Sequence, residues 1–374
     1  MSESWKTMSE SEKKDWVYAR LEDEESRDIF RDKNSYNDSG DVRYIENIVD
    51  KYLPESSEFG GVYYDGKEKD FLKSIWNKNK KIVVFGAGFQ GKRLLEIAEE
   101  MGIRIAYVCD NALEKQNTVI ENQMPVISFQ ELCNKDDVQE YAIIISPQFK
   151  GEEIKEMLMK DWVQEKNMFL LKNYLLYFAD EWQYFDENIV KLQDGEVFVD
   201  AGSLNLGTTK IFMDKMRQKG YTVEKVWAFE PDDFSYHNCE KTCMNKGMEK
   251  VELINAGLWS KDTYLAFHSA EYGGSHIVES DEKDGAQVKV VALDSCIRGK
   301  VTFIKMDIEG AELEALKGAK QLIMKYRPKL AICIYHKRED MWEIPYFIKN
   351  LVPEYKLYIR HYSNYEYETV LYAV

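Results

Sequence analysis

Glu196-Val-Phe-Val-Asp-Ala-Gly-Ser-Leu-Asn-Leu-Gly-Thr-Thr209 reads as a buried strand, a glycine-containing turn and the start of a helix. Gly202 lacks a Cβ, so the backbone there can come close to a ligand. N–H groups at the helix start point into the same crevice. Two later segments repeat the pattern, Val226-Trp-Ala-Phe-Glu-Pro-Asp232 and Thr302-Phe-Ile-Lys-Met-Asp-Ile-Glu-Gly-Ala-Glu312. In an open parallel α/β sheet, ligands lie past the carboxyl ends of the strands. The order of these loops suits a nucleoside-bearing cofactor with a reacting group beside it. Glu230 stands where a ribose would lie, and Asp307 and Glu309 stand at a further strand end.

Working outward, strands are expected over 197–200, 225–229, 251–256, 302–307, 330–335, 355–360 and 369–373. Helices are expected over 209–219, 234–245 and 311–325. Residues 264–291 form an excursion with hairpin-like alternation. The last two strands are joined by a loop too short for a helix, so they should pair antiparallel. Upstream, 81–91 reads strand, turn, helix, and further strands are expected over 103–109, 125–127 and 141–146. The expected division is a helical arm over 1–66, a nucleotide- or nucleotide-sugar-binding domain over 67–172, a helical connector over 173–195 and a second domain over 196–374. The expected fold class is α/β with two Rossmann-like domains. The C-terminal one has the seven-stranded pattern of class I methyltransferases, with an antiparallel terminal hairpin.

Composition narrows the partners. The 374 residues carry a formal net charge of −16, which argues against a nucleic-acid footprint and against docking on anionic lipid. No apolar run reaches the roughly 20 residues that span a bilayer, and the N-terminus is polar. Cysteines 109, 133, 239, 243, 296 and 333 are scattered without a CxxC pair, as in a reduced compartment. A cytoplasmic protein is the expectation, and the chain leaves room for a homo-oligomer.

The expected cofactor set is Asp200, Gly202, Ser203, Asn205 and Thr208 in the first loop, Glu230 and Asp232 in the second, and Asn255 with Ala256 at the end of the third strand. Glu230 can accept hydrogen bonds from both ribose hydroxyls. Asp200 either holds the cofactor's amino-acid end or orders the loop. Asp307 or Glu309 can orient an acceptor hydroxyl or take its proton. The two carboxylates could instead hold a hard cation such as Mg²⁺, and Glu309 or Glu312 could cap the next helix. His336, at a strand's C-terminal edge, is placed to titrate near neutrality and act as a base. His361 and Glu368 are candidates for lining an acceptor pocket. In the upstream domain Gly86, Gly88 and Gly91 match GxGxxG between strand and helix. Asp110 with Asn111 follows at the end of the next strand, so these five form a candidate nucleotide site.

On the motifs Val199-Asp-Ala-Gly202, Ala228-Phe-Glu-Pro-Asp232, Leu293-Asp294, Ile304-Lys-Met-Asp-Ile-Glu-Gly-Ala-Glu312, Leu316-Lys-Gly-Ala319 and Glu368-Thr-Val-Leu-Tyr372, residues 196–374 resemble the FkbM family of S-adenosylmethionine-dependent methyltransferases. The resemblance implies methyl transfer to a hydroxyl of a sugar, nucleotide sugar, cell-surface glycan or related product. It also implies cofactor contacts at Gly202 and Glu230, with Asp307 near the methyl group. The family usually carries a second glycine four residues after the first; here Leu206 stands there, with Gly207 following. Residues 81–146, through Val84-Phe-Gly-Ala-Gly-Phe-Gln-Gly91 and Val108-Cys-Asp-Asn111, look like the nucleotide-sugar-binding domain of bacterial sugar O-acyltransferases. Two rivals stay open: a non-catalytic nucleotide-sugar scaffold or sensor with a degenerate methyltransferase domain, and an NAD(P)-dependent enzyme.

Overall fold

A computed structural model of the chain describes residues 3–41, 43–53, 65–78, 81–113, 115–120, 124–135, 138–147, 151–160, 163–171, 179, 182–244, 247–268, 276–278 and 287–374. The chain divides into two compact units: Asp41–Phe178 with Ser363–Tyr365, and Met1–Gly40 with Ala179–Tyr362 and Glu366–Val374. The arm expected over 1–66 is therefore shared between them, with the break beside Gly40. There the chain turns out of a helix with φ of 68°, a conformation glycine adopts without strain.

In the first unit, β1 (Lys81–Phe85), β2 (Ile105–Cys109), β3 (Val119–Ile120), β4 (Met124–Ile127), β5 (Tyr141–Ile145) and β6 (Met168–Leu170) form one sheet. Its order is β3-β4-β2-β1-β5-β6. β1 lies parallel to β2 and β5, and only β3 runs antiparallel, against β4. Strand β1 is apolar on both faces because both are covered. Ile82 and Val84 pack with Leu72 and Ile75 of the helix Asp65–Lys78 and with Leu94 of the helix Phe89–Glu100. Val83 and Phe85 pack with Leu158 of the helix Gly151–Lys160.

The other unit is built on β7 (Glu196–Ala201), β8 (Val223–Phe229), β9 (Val251–Ile254), β14 (Phe303–Met306), β15 (Lys329–Cys333), β16 (Leu357–His361) and β17 (Thr369–Ala373). The sheet order is β16-β17-β15-β14-β7-β8-β9. β17 is antiparallel to both neighbours, so the antiparallel end read from the short terminal loop is present. The excursion forms a separate four-stranded sheet of β10 (Gly257–Leu258), β11 (Thr263–His268), β12 (His276–Val278) and β13 (Gln287–Val291). Phe198, Phe212, Phe303 and Phe185 build the aromatic centre of the core on one face of the large sheet.

Two elements depart from expectation. The helix expected over 311–325 is two, Glu312–Lys317 and Lys320–Tyr326. A Cβ on Gly318 would fall 2.0 Å from the Trp259 carbonyl oxygen, so the chain bends where that carbonyl approaches. Asp294 then caps the second helix, accepting from Gln321 N and Leu322 N at 2.9 Å each. The expected helical connector forms turns over 182–195, where Asp186 Oδ1 accepts from Asn188 N at 2.8 Å and competes with helix; residues 172–178 lie outside the described residues. The arm contains a further helix, Glu24–Ser39, capped by Asp23 accepting from Ser26 N. It lies against the edge strand β16: Glu22 N donates to Leu357 O at 3.0 Å, Ile359 N to Ser26 Oγ at 2.9 Å, and Arg360 Nη2 to Asp23 Oδ2 at 2.6 Å. This covers an edge that would otherwise offer unpaired backbone groups.

Candidate active site

The crevice lies past the carboxyl ends of β7, β8 and β14. A cavity there is lined by Gly202, Leu204, Glu230, Ser235, Asp307 and Glu309, among others. The turn after β7 is drawn tightly against the turn after β14. A Cβ on Gly202, whose φ is 78°, would fall 1.9 Å from the Asp307 carbonyl oxygen. Both the contact and the left-handed backbone call for glycine.

Beneath the turn lies a buried ion pair. Lys305 is 2 % exposed and Asp200 fully buried, with Lys305 Nζ 3.2 Å from Asp200 Oδ1. Lys305 also donates to Ala201 O at 3.1 Å and Gly202 O at 2.9 Å, while Thr209 Oγ1 donates to Asp200 Oδ2 at 2.6 Å. Burial works against the ammonium, but Asp200 and then Asp307 hold its pKa above the ordinary lysine value. Asp200 thereby orders the loop, tying β7, β14 and the helix Gly207–Gln218 together. Ser203 also serves the turn, donating to Phe229 O at 3.0 Å. Asn205 Oδ1 accepts from Gly207 N at 2.8 Å, and Thr208 sits in the helix's first turn.

Leu206 is fully buried with φ of 62°. The left-handed backbone explains why glycine is usual at this position. The leucine side chain packs with Ala228 and Cys239 and is absent from the cavity lining. Leu206→Gly should relieve about 1 kcal/mol of backbone strain and forfeit part of the 2–5 kcal/mol that burying such a side chain contributes. A net loss of about 2 kcal/mol in urea denaturation, with cofactor affinity unchanged, is the expected result.

Glu230 ends β8 with its carboxylate nearly buried. Oε2 accepts from Leu204 N at 2.8 Å and Oε1 from Asp232 N at 3.0 Å. Burial pushes its pKa up to about 7, with Asp232 adding to the rise, and the two N–H groups and Lys305 opposing it. Asp232 is the helix cap, accepting from Ser235 N at 2.9 Å. Asn255 Nδ2 donates to Asp233 Oδ1 at 2.8 Å, and Ala256 is buried. Neither reaches the cavity lining, where Gly257 and Leu258 stand instead.

Asp307 is held by two phenols that sequence reasoning missed. Tyr184 Oη donates to Oδ2 at 2.7 Å and Tyr335 Oη to Oδ1 at 3.2 Å. Burial raises the Asp307 pKa, but Lys305, His336 and the phenols outweigh it and hold the carboxyl below the usual range. His336 lies among three carboxylates. Nε2 is 3.4 Å from both Asp307 Oδ1 and Glu309 Oε2, and Nδ1 is 3.0 Å from Glu312 Oε1. Burial opposes a charged ring, yet Glu312, Asp307 and Glu309 lift its pKa to about 10. The neutral-range base expected at His336 is corrected accordingly: surrounded by anions, the ring keeps its proton at pH 7. Glu312 does not cap as expected from its own helix turn; Oε1 accepts from Ile308 N at 2.9 Å. His361 pairs with Thr369 Oγ1 at 2.9 Å and Glu368 accepts from Gln183 Nε2; neither lines the cavity. A lysine inside the apolar run of β14 was the one legible signal for a buried anion below the turn.

In the other unit, Asp110 orders the glycine turn: Oδ2 accepts from Ala87 N at 2.8 Å and Oδ1 from Ala112 N at 2.9 Å. A Cβ on Gly91 would fall 1.9 Å from Gly86 O, and Gly86 has φ of 110°. Gly88 precedes the helix Phe89–Glu100 with no side-chain cap. Asn111 Nδ2 contacts Met157 Sδ at 3.2 Å.

Residues 202–367 match the family model described as methyltransferase FkbM domain. Residues 65–170 match a second, described as C-methyltransferase C-terminal domain. The likeness of 81–146 to sugar O-acyltransferases rests on its motifs alone. No curated protein matches the chain. Among solved structures, methyltransferase FkbM from Methylobacillus flagellatus KT is similar, with 18% identity, 87% of this chain and 98% of that chain covered, and a TM-score of 0.46. An rRNA methylase from Streptococcus thermophilus shows 16% identity, covers 49% of this chain and 89% of that chain, and has a TM-score of 0.31. Both scores are low, and the family-model matches are what bear on function. Residues 65–170 and 202–367 each match a methyltransferase family model, and the crevice at Gly202, Glu230 and Asp307 lies in the second match.

Proposed function

We propose that the unit built on β7 is an S-adenosylmethionine-dependent O-methyltransferase for a hydroxyl of a sugar, nucleotide sugar or cell-surface glycan. The observation that carries this reading is the placing of Glu230 and Asp307 in one cavity, on either side of the Gly202 turn. The donor set fits the cofactor. Each Glu230 oxygen accepts one backbone N–H and keeps acceptor capacity for a ribose hydroxyl. Gly202 leaves its side of the cavity without a side chain. The cofactor, when bound, supplies an electrophilic methyl group. Asp307, ionised and aimed by two phenols, accepts the hydrogen bond of the acceptor hydroxyl and receives its proton. Tyr184 and Tyr335 hold that carboxylate still, which is where positioning contributes to rate. Glu309, at the cavity wall, contacts the acceptor, and His336 balances the charge behind the two carboxylates. The sugar preference comes from the motif likeness of 81–146. The uncapped helix start at Gly88 supports a phosphate there, so a nucleotide sugar is the first acceptor class to screen. Among the described residues no helix is long and apolar enough to cross a membrane, in keeping with a cytoplasmic setting.

Calorimetric titration with S-adenosylhomocysteine tests the reading. Micromolar binding by the wild type, lost in Glu230→Ala, is the expected result; a folded wild type that binds nothing would end it. The same titration should depend on pH. Glu230 faces Asp232, Lys305 and Cys239, and its pKa near 7 leaves about a tenth of it ionised at pH 6 and about nine tenths at pH 8. A diol prefers the ionised form, so affinity should rise about tenfold over that interval and stay flat in Glu230→Gln. Because the folded-state pKa is raised, this group's contribution to stability is present below about pH 4.5 and is lost as pH climbs through about 7. Ligand-free protein should melt lower at pH 8 than at pH 6 by the part of this contribution still present at pH 6, and Glu230→Gln should remove the difference.

A further inference from the structure

His336 has a setting that its pairing with carboxylates does not exhaust. Its side chain is only 9 % exposed, and Nε2 makes no hydrogen bond among the described residues. That nitrogen is instead aimed between Asp307 Oδ1 and Glu309 Oε2, 3.4 Å from each. Separations of this size, without alignment along N–H, are what ligands of one ion show towards each other. Ligand atoms of Asp307, Glu312 and His336 all lie within 4.8 Å of one another. Glu312, fully buried, stands 3.0 Å from Nδ1 on the far side of the ring, and its Oε2 also lacks a hydrogen-bond partner among the described residues. A carboxylate behind a ligating imidazole fixes the ring and strengthens it as a ligand. Tyr184 and Tyr335 do the same for Asp307.

The geometry points to a divalent-cation site made by His336 Nε2, Asp307 and Glu309, with Glu312 as the carboxylate that holds the ring; the ion takes the place of the Nε2 proton, which is released to solvent on binding. One nitrogen with two carboxylates suits Mn²⁺ or a neighbouring first-row ion better than Mg²⁺, which prefers oxygen throughout. Asp307 and Glu309 line the cavity, so the remaining coordination positions face it. They would take two adjacent oxygens of the acceptor, which narrows the substrate class to a sugar with vicinal hydroxyls. Only this last step rests on the methyltransferase reading.

The test is Mn²⁺ titration of the full chain, without cofactor, followed by electron paramagnetic resonance. The expected result is one bound ion with nitrogen hyperfine coupling from a histidine. Coupling and binding should both be lost in His336→Ala. Affinity should fall in Asp307→Asn, and by about tenfold or more in Glu312→Gln. Should His336→Ala fail to fold by circular dichroism, Glu309→Gln, at the cavity wall, serves in its place and should weaken binding. No bound ion, an ion without nitrogen coupling, or equal binding in folded variants overturns the site. S-adenosylhomocysteine titration of the same samples separates the two proposals. Cofactor bound without Mn²⁺ defeats the cation site alone, and Mn²⁺ bound without cofactor upholds the site while defeating the methyltransferase reading.

Discussion

Lys305→Met should destabilise the protein by about 3–5 kcal/mol, the cost of breaking a buried ion pair from one side. Methionine fills much of the same volume, so packing is not the main loss. What is lost is the ammonium opposite Asp200, together with its hydrogen bonds to the carbonyls of Ala201 and Gly202. Asp200, fully buried, would keep Thr209 as a donor but no cation. Urea denaturation measures the loss, and the double variant Asp200→Asn, Lys305→Met should recover a good part of it, because the unpaired charge goes too. A single variant as stable as wild type would mean that the pair does not hold the turn.

Asp307→Asn should lower turnover by about 10²–10⁴-fold, once an acceptor is identified, while leaving S-adenosylhomocysteine affinity near that of the wild type. The substitution keeps the shape and one acceptor oxygen for the phenols, and removes the charge that takes the hydroxyl proton. Its effect should fall on kcat more than on KM for the cofactor, since Glu230 and the Gly202 turn are untouched. Wild-type turnover would take Asp307 out of the mechanism. Lost cofactor binding would show that its role is to shape the turn, through the close approach to Gly202.

The strands of this unit were legible because each is a short apolar run that stops at a glycine or a carboxylate. β7, β8 and β14 fall within a few residues of expectation. That Gly202, Glu230 and Asp307 would come together at one cavity was readable because a strand's end is fixed by pattern. Tyr184 was not, since it lies in turns 123 positions from its partner Asp307 and no local period marks it. Asn255 and Ala256 were placed one or two residues early, because β9 ends at Ile254 and the chain turns before reaching the cavity. The charge state of His336 was hidden for a similar reason: Glu312 comes from the start of the helix Glu312–Lys317, and only folding sets it against the ring. The helix Glu24–Ser39 lies in the expected helical arm, but its bounds were not legible because its apolar residues are few, although Asp23 with two glutamates behind it is a fair start signal.

The arm that covers β16 also sets an order of events during synthesis. Ser26 meets Ile359, 333 positions later, and β17, which lies inside the sheet, is later still. The arm therefore leaves the ribosome with nothing to dock on, while the whole of Asp41–Phe178 is made and is free to fold first. Closing so long a loop is slow relative to local structure. Val17, Ile29 and Phe30, all buried in the finished protein, stay uncovered until then. A chain halted before β16 should be recognised by that uncovered arm and held by chaperones or degraded.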